Sequence, residues 1–398
     1  MKNFILCMTV IGVFACASLL NGADKTKPST PIYVITNDDA ILHSYSSFYT
    51  AGGTLGNPTL TYLSNVNTQG LGIGGGFFGT QRLAMLPSSS AQCIYVSDAS
   101  TNDIAAVNIQ TQTLVGNFTG SSTDNGNTNG IGMVMNQNYL YAGYTASNTI
   151  ATFSVGSGCQ LTFLADITVT PLNGGWVDGM ALNGNILVVT YIDGSIQSFN
   201  TSNGIPISNN DEQYTAGYVT GPYFANGVDI TQDGHFAIFG DTATATVVEV
   251  SDLSTGRLGP TIMTVVPHQP SNTLGPAMSS STVRLSPDES LLYIANSQLP
   301  YVTAAFFNKT TGRVSAGCTS GALNLFYNPW SYIGSLATRD TTGTGNVLYA
   351  AEFGSDIGIL NVSSTGTSCT LTESPSSPVS DELSPGLISI QVFPPRPF

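Results

Sequence analysis

The stretch "LYIANS" at residues 292–297 recurs along the chain, and its spacing limits what the chain can fold into. Related copies are "IYVITN" (32–37), "IYVSDA" (94–99), "LYAGYT" (140–145), "ILVVTY" (186–191), "FAIFGD" (236–241) and "LYAAEF" (348–353). That makes seven copies in 398 residues, separated by 62, 46, 46, 50, 56 and 56 positions. Each is followed by a polar turn and a second apolar alternation: "AILHSYS", "DIAAVNI", "TIATFSV", "SIQSFN", "TVVEV", "YVTAAFF" and "DIGILNV". A further turn comes next, clearest as "LSTGRL" (253–258), "KTTGRV" (309–314) and "SSTGTS" (363–368). Short strands at even intervals, punctuated by Gly, Asn and Asp turns, are the mark of repeated antiparallel sheets.

One more short strand precedes six of the copies: "RLAMLP", "GIGMVM", "DGMALN", "GVDIT", "TVRLS" and "YIGSLA". The first copy begins at Pro31 with no such strand before it, while "GLISIQVF" at 386–393 stands spare at the far end. A circular array must stitch its first and last sheets, and borrowing a strand from the opposite terminus removes the open edges. The expected fold is all-β: a single seven-bladed β-propeller over 31–398. Its four-stranded antiparallel blades are closed by the C-terminal strand completing the N-terminal blade.

Composition agrees with this and excludes other classes. Only 9% of residues are charged, 43 are Gly and 41% are hydrophobic, which describes a turn-rich β protein and not a disordered one. The formal net charge is −14 with scattered cations, so no clustered basic surface exists for nucleic acid. The N-terminus has the layout of a signal peptide: Lys2, an apolar run over 4–20, and "NGA" before Asp24. Cleavage is expected after Ala23, with "ACA" at 15–17 a second site and 24–30 a short leader. Acylation at Cys16 is the competing reading, against which Phe14 counts, and no Arg-Arg pair marks a twin-arginine route. The apolar run is short for a membrane span and no other segment is a candidate. Export would remove Cys7 and Cys16 and leave Cys93, Cys159, Cys318 and Cys369, which permit two disulfides in three connectivities. The pairing local in sequence, Cys93–Cys159 with Cys318–Cys369, is favoured. With no CxxC and few His, no zinc site is expected.

The unit "SPDxxxLYIAN…V…F…TGRV" resembles the seven-bladed lactonase-type, or 6-phosphogluconolactonase-like, and YVTN-repeat propellers over about residues 31–393. That resemblance implies hydrolysis of sugar lactones or closure of a muconate ring, and it also takes in exported members with no assigned reaction. It implies chemistry at three places: a His in a "GPRH"-like start of an inner strand, an acid after the "YVxN" strand, and an Arg in an "IRLSPDG"-like inner strand. "TVRLSPDE" supplies Arg284, and "FAIFGD" places Asp241 where the family tends to have Glu. The His is missing, because "GPYFANGVDI" carries Asn226 and Gly227 there, and "GTQRLAMLP" has Arg82 at the His level. His43 falls in a second-type strand and His235 in a turn on the other face, leaving His268 near the channel mouth.

Two functional classes follow. One is an exported propeller that binds a carbohydrate-like ligand or a protein through one face, without turnover. The alternative is a divergent lactone hydrolase needing no metal or cofactor, with Asp241 as base and Arg284 holding the developing oxyanion. On the shared face we place Arg82, Asp98, Trp176, Asp178, Tyr223, His268, Trp330, Tyr332 and Glu352 beside the catalytic pair. Aromatics beside carboxylates suit the two sides of a sugar ring. The competing structural reading packs both Trp between blades and pairs Arg284 with Asp229, one blade earlier, as a buried ion pair. "DNGNTNG" (124–130) is read as an Asn/Gly turn, since Asn136 stands where a calcium loop needs Glu. Sequons begin at Asn117, Asn200, Asn308 and Asn361, and a monomer is expected.

Overall fold

The computed structural model describes residues 31–38, 40–54, 56–73, 81–86, 88, 91–120, 130–215, 227–240, 245–265, 280–296, 300–324, 333–341, 345–352, 356–381 and 387–394. Within them the chain forms seven antiparallel sheets arranged as the blades of a propeller, with one short 3-10 turn at Ser157–Cys159. From the inside outward, blade 6 is Ser280–Leu285, Leu291–Asn296, Val302–Asn308 and Arg313–Thr319. Blades 2, 3 and 5 follow the same plan, starting at Leu83–Met85, Ile131–Met135 and Val228–Ile230. Blade 1 takes its three outer strands from Tyr33–Asp38, Tyr45–Thr54 and Asn57–Asn67, and its innermost from Leu387–Phe393. In that closing pair Tyr33 opposes Phe393, Val34 opposes Val392 and Thr36 opposes Ile390.

The repeated apolar strand is continuous because both of its faces are buried. In blade 6, Leu292 and Ile294 enter a cluster with Phe236, Ile238 and Val247 of blade 5. Leu291, Tyr293 and Ala295 enter one with Leu336, Leu348 and Ala350 of blade 7. Seven such clusters fill the seven interfaces, so the core is a ring of wedges between blades. The turn before each such strand is built by side chains. In "SPDES", Ser286 Oγ donates to Asp288 and accepts from Leu291 N, and Glu289 adopts φ 61° where "TQDGH" has Gly234 at φ 74°. Its carboxylate accepts Gln232 N of blade 5 at 2.6 Å, so the Glu tethers a neighbouring turn.

Two blades depart from the regular plan. The outer strand of blade 4 is split into Ile207–Ser208 and Gln213–Tyr214, both pairing with Ser195–Asn200. Asp211 fills the gap, accepting Ser198 N at 3.0 Å and Leu258 N of blade 5 at 2.6 Å. Blade 7 is split likewise into Cys369–Glu373 and Val379–Ser380. No helix among the described residues is long and apolar enough to cross a membrane.

The disulfides are Cys93–Cys159 and Cys318–Cys369, the pairing local in sequence, with Cα separations of 5.7 and 5.6 Å. The first joins blades 2 and 3, the second blades 6 and 7. Closing loops of 66 and 51 residues restricts the unfolded chain, at about 2–4 kcal/mol per bond. Cys318→Ser with Cys369→Ser is therefore expected to lower the urea midpoint by that amount of stability. Cys93→Ser with Cys159→Ser should show a comparable, separate loss.

Candidate functional site

Loops that enter an inner strand and loops that leave a second strand lie on one face, because these two strands are antiparallel neighbours. Of the residues placed there from sequence, Tyr223, Asp241, His268, Trp330 and Tyr332 fall outside the described residues, as does Asn226. Arg82, Asp98, Asp178 and Glu352 are buried almost completely. Trp176 is 39% exposed and leaves part of its surface to solvent.

One of these side chains bridges two blades. Asp98 ends the second strand of blade 2 and accepts a 2.7 Å hydrogen bond from Thr68, just past the outer strand of blade 1. Glu352 ends the second strand of blade 7 in the same way. Arg82 precedes the inner strand of blade 2, and its carbonyl accepts Ser97 N at 3.0 Å. A buried carboxylate held by a neighbouring blade stabilises the ring before it serves a ligand.

The equivalent position in blade 1 is Asp38, which no sequence signal singled out. It meets Asp381, the residue after the split outer strand of blade 7. Thr36 Oγ1 lies 3.1 Å from one Asp38 oxygen and 3.4 Å from Asp381, and Ser47 Oγ donates to the other Asp38 oxygen at 2.5 Å. Burial, and then the charge of Asp381, push the Asp38 carboxyl well above its usual 3.8. The same burial and both carboxylates push the Tyr49 hydroxyl up. A raised folded-state value means the stabilisation is complete below the unfolded value and fades as pH rises through the folded one. Asp38→Asn should therefore remove a stretch of falling stability that starts near the ordinary carboxylate range and runs upward in pH, read as melting temperature against pH for both proteins. Parallel curves would disprove it.

On the propeller axis, Asp229 and Arg284 occupy matching inner-strand positions in blades 5 and 6. The ion pair expected from sequence is formed, with Arg284 Nε 3.9 Å from Asp229 Oδ2. The tighter partners of Asp229 are backbone amides: Ile230 N at 3.0 Å and Leu285 N of blade 6 at 2.8 Å. The Arg284 side chain is 19% exposed, and its Nε makes no hydrogen bond. Gln81, just before the inner strand of blade 2, reaches across the axis. Its side chain donates to Val228 O of blade 5 at 3.3 Å and accepts Met180 N of blade 4 at 3.2 Å. Beneath it remains a cavity of about 80 Å³ lined by Met133, Met135, Asp229 and Arg284, well below the few hundred Å³ of a ligand pocket.

Gly227 stands where the resemblance implies a histidine. A Cβ there would lie 2.6 Å from Thr282 Oγ1 and 2.7 Å from Thr282 Cα, so the adjacent blade closes the space any side chain would need. His43 and His235 do not replace it: His43 lies against Tyr45, and His235 pairs with Asp233 in a turn of the opposite face. Among the described residues no three His, Cys, Asp or Glu side chains gather as metal ligands would.

No family model and no curated protein matches this chain. Solved structures do. A Bacteroides fragilis protein, provisionally assigned as a 6-phosphogluconolactonase, superposes with a TM-score of 0.63 at 14% identity, over 92% of this chain and 99% of its own. Its Bacteroides uniformis counterpart, under the same provisional assignment, gives 0.64 at 14%, over 91% and 99%. A protein of unknown function from Desulfotomaculum acetoxidans gives 0.58 at 14%, over 87% and 100%. The fold is that of the lactonase-like seven-bladed propellers, and at this identity the likeness extends to the fold alone.

Proposed function

We propose that the protein is an exported lactonase-like propeller that binds a carbohydrate-like ligand or a protein through its long-loop face, without turning it over. The observation that carries this is Gly227 pressed against Thr282: the histidine that the resemblance implies is absent, and there is no room to restore it. The side chain of Gln81 across the axis supports the same reading by narrowing the channel. Trp176, 39% exposed, offers an apolar ring face of the kind that packs against a sugar. Tyr223, His268, Trp330 and Tyr332 are assigned to the same face from sequence. Two disulfides and the N-terminal signal pattern support an oxidising, extracytoplasmic location, with a soluble monomer released after Ala23.

A second reading is a lactone hydrolase, a carboxylic ester hydrolase using Asp241 as base and Arg284 as oxyanion partner. It is favoured by one observation: the Arg284 Nε makes no hydrogen bond and the side chain keeps access to the axial cavity. A pH-stat screen of purified protein against aldonolactones, including 6-phosphogluconolactone, separates the two. The binding reading expects acid release at the rate of the protein-free control. Turnover that Arg284→Met abolishes would establish the hydrolase.

A further inference from the structure

A wide cavity lies on the face opposite the loops that enter the inner strands, between the turns of blades 6 and 7 and the closing strand of blade 1. Its volume is about 1430 Å³. Only seven Lys and Arg follow residue 31: Arg82, Arg257, Arg284, Lys309, Arg313, Arg339 and Arg396. Three of them, Lys309, Arg313 and Arg339, line this one cleft, in a chain of net charge −14. Among the described residues none of the three is within ion-pair distance of a carboxylate.

The acids at the cleft are committed elsewhere. Asp288 caps its own turn: burial works to raise its carboxyl, but hydrogen bonds from Ser286 and Ser290 outweigh that and hold it below its usual value. Glu289 accepts the Gln232 amide. Arg339 lies on the inner strand of blade 7 beside the Tyr349 hydroxyl, and its buried Nε makes no hydrogen bond. A partly buried guanidinium that lines the cleft, with no carboxylate paired to it among the described residues, is arranged to receive an anion.

We propose that this cleft binds an acidic oligosaccharide, with carboxylates meeting Arg339 and the Lys309–Arg313 turn. The size exceeds that of a compact small-molecule pocket and suits a run of several rings. Its lining alternates hydroxyl and amide groups, Ser290, Asn308, Thr338 and Asn346, with the apolar surface of Phe306, as pyranose rings require. A nucleic acid is disfavoured, since the acidic remainder of the surface repels a phosphate backbone that extends beyond the cleft.

The test is calorimetric titration of the purified full propeller with trigalacturonate, maltotriose and inorganic phosphate. Trigalacturonate is expected to bind saturably, and maltotriose about tenfold more weakly or worse, the effect of losing a charge-assisted bond. Arg339→Gln should weaken trigalacturonate by about tenfold for the same reason. The exposed Lys309→Gln and Arg313→Gln together should weaken it several-fold without touching the fold. Arg257→Gln, which removes an equal charge from blade 5 outside the cleft, should leave binding as it was. Equal affinity for the two trisaccharides would overturn the proposal, as would an unaffected Lys309→Gln/Arg313→Gln protein. An equal loss in Arg257→Gln would reduce the effect to net charge. Phosphate competing at the affinity of trigalacturonate would make the cleft a single-anion site and refute the oligosaccharide.

Discussion

Deleting residues 387–398 is expected to leave a chain that does not form a stable, soluble monomer. The deletion strips Tyr33–Asp38 of its inner partner and exposes a row of backbone donors and acceptors at an open edge. It also removes the buried side chains of Ile390, Val392 and Phe393, each stabilising by about 1.5–3 kcal/mol. The Tyr33–Phe393 stack, with centroids 6.2 Å apart, goes with them. An outer clasp would survive: Gly56 N donates to Asn361 of blade 7 at 3.0 Å, and Ser374 and Ser376 donate to Pro58 O. Those contacts are peripheral and partly exposed, so they cannot cover the inner edge. Light scattering and thermal melting of the truncated protein decide the matter. A monomer with the full-length melting curve would refute closure as the source of stability.

How much of this was legible in the sequence depended on the range of the interaction. Alternation within "LYIANS", turn residues at fixed offsets and a strand missing at one end and spare at the other are local or countable, and they give the ring and its closure. The Asp229–Arg284 pair was also legible, because equal positions in adjacent repeats are neighbours in space. Gln81 was not: a polar residue in "GTQRL" looks like any loop residue until the axis brings Val228 and Met180 to it. Asp38 was hidden for a similar reason, since its partner Asp381 lies at the other end of the chain. The splits in blades 4 and 7 escaped because Asp211 substitutes for strand hydrogen bonds without breaking the repeat spacing. In the opposite cleft, Lys309 and Arg339 come from successive blades with no shared motif.

The roles of Asp229 and Arg284 separate by stability. Asp229→Ala should cost about 3–5 kcal/mol, the toll of breaking a buried pair from the carboxylate side. The variant removes the carboxylate that accepts the Leu285 amide at 2.8 Å and leaves Arg284 in the axial cavity without its counter-charge. Arg284→Met should cost less, about 1–2 kcal/mol, because Asp229 keeps both amide donors and the lost contact is a long one at 3.9 Å. Adding Arg284→Met to Asp229→Ala should recover part of the loss, since no orphan cation remains. Urea unfolding of the three proteins yields the cycle directly. If Arg284→Met alone costs as much as Asp229→Ala, the arginine is chiefly the structural partner of that carboxylate. If it unfolds nearly as the parent does yet loses ligand on the long-loop face, Arg284 belongs to the site, with Asp229 positioning it between two blades.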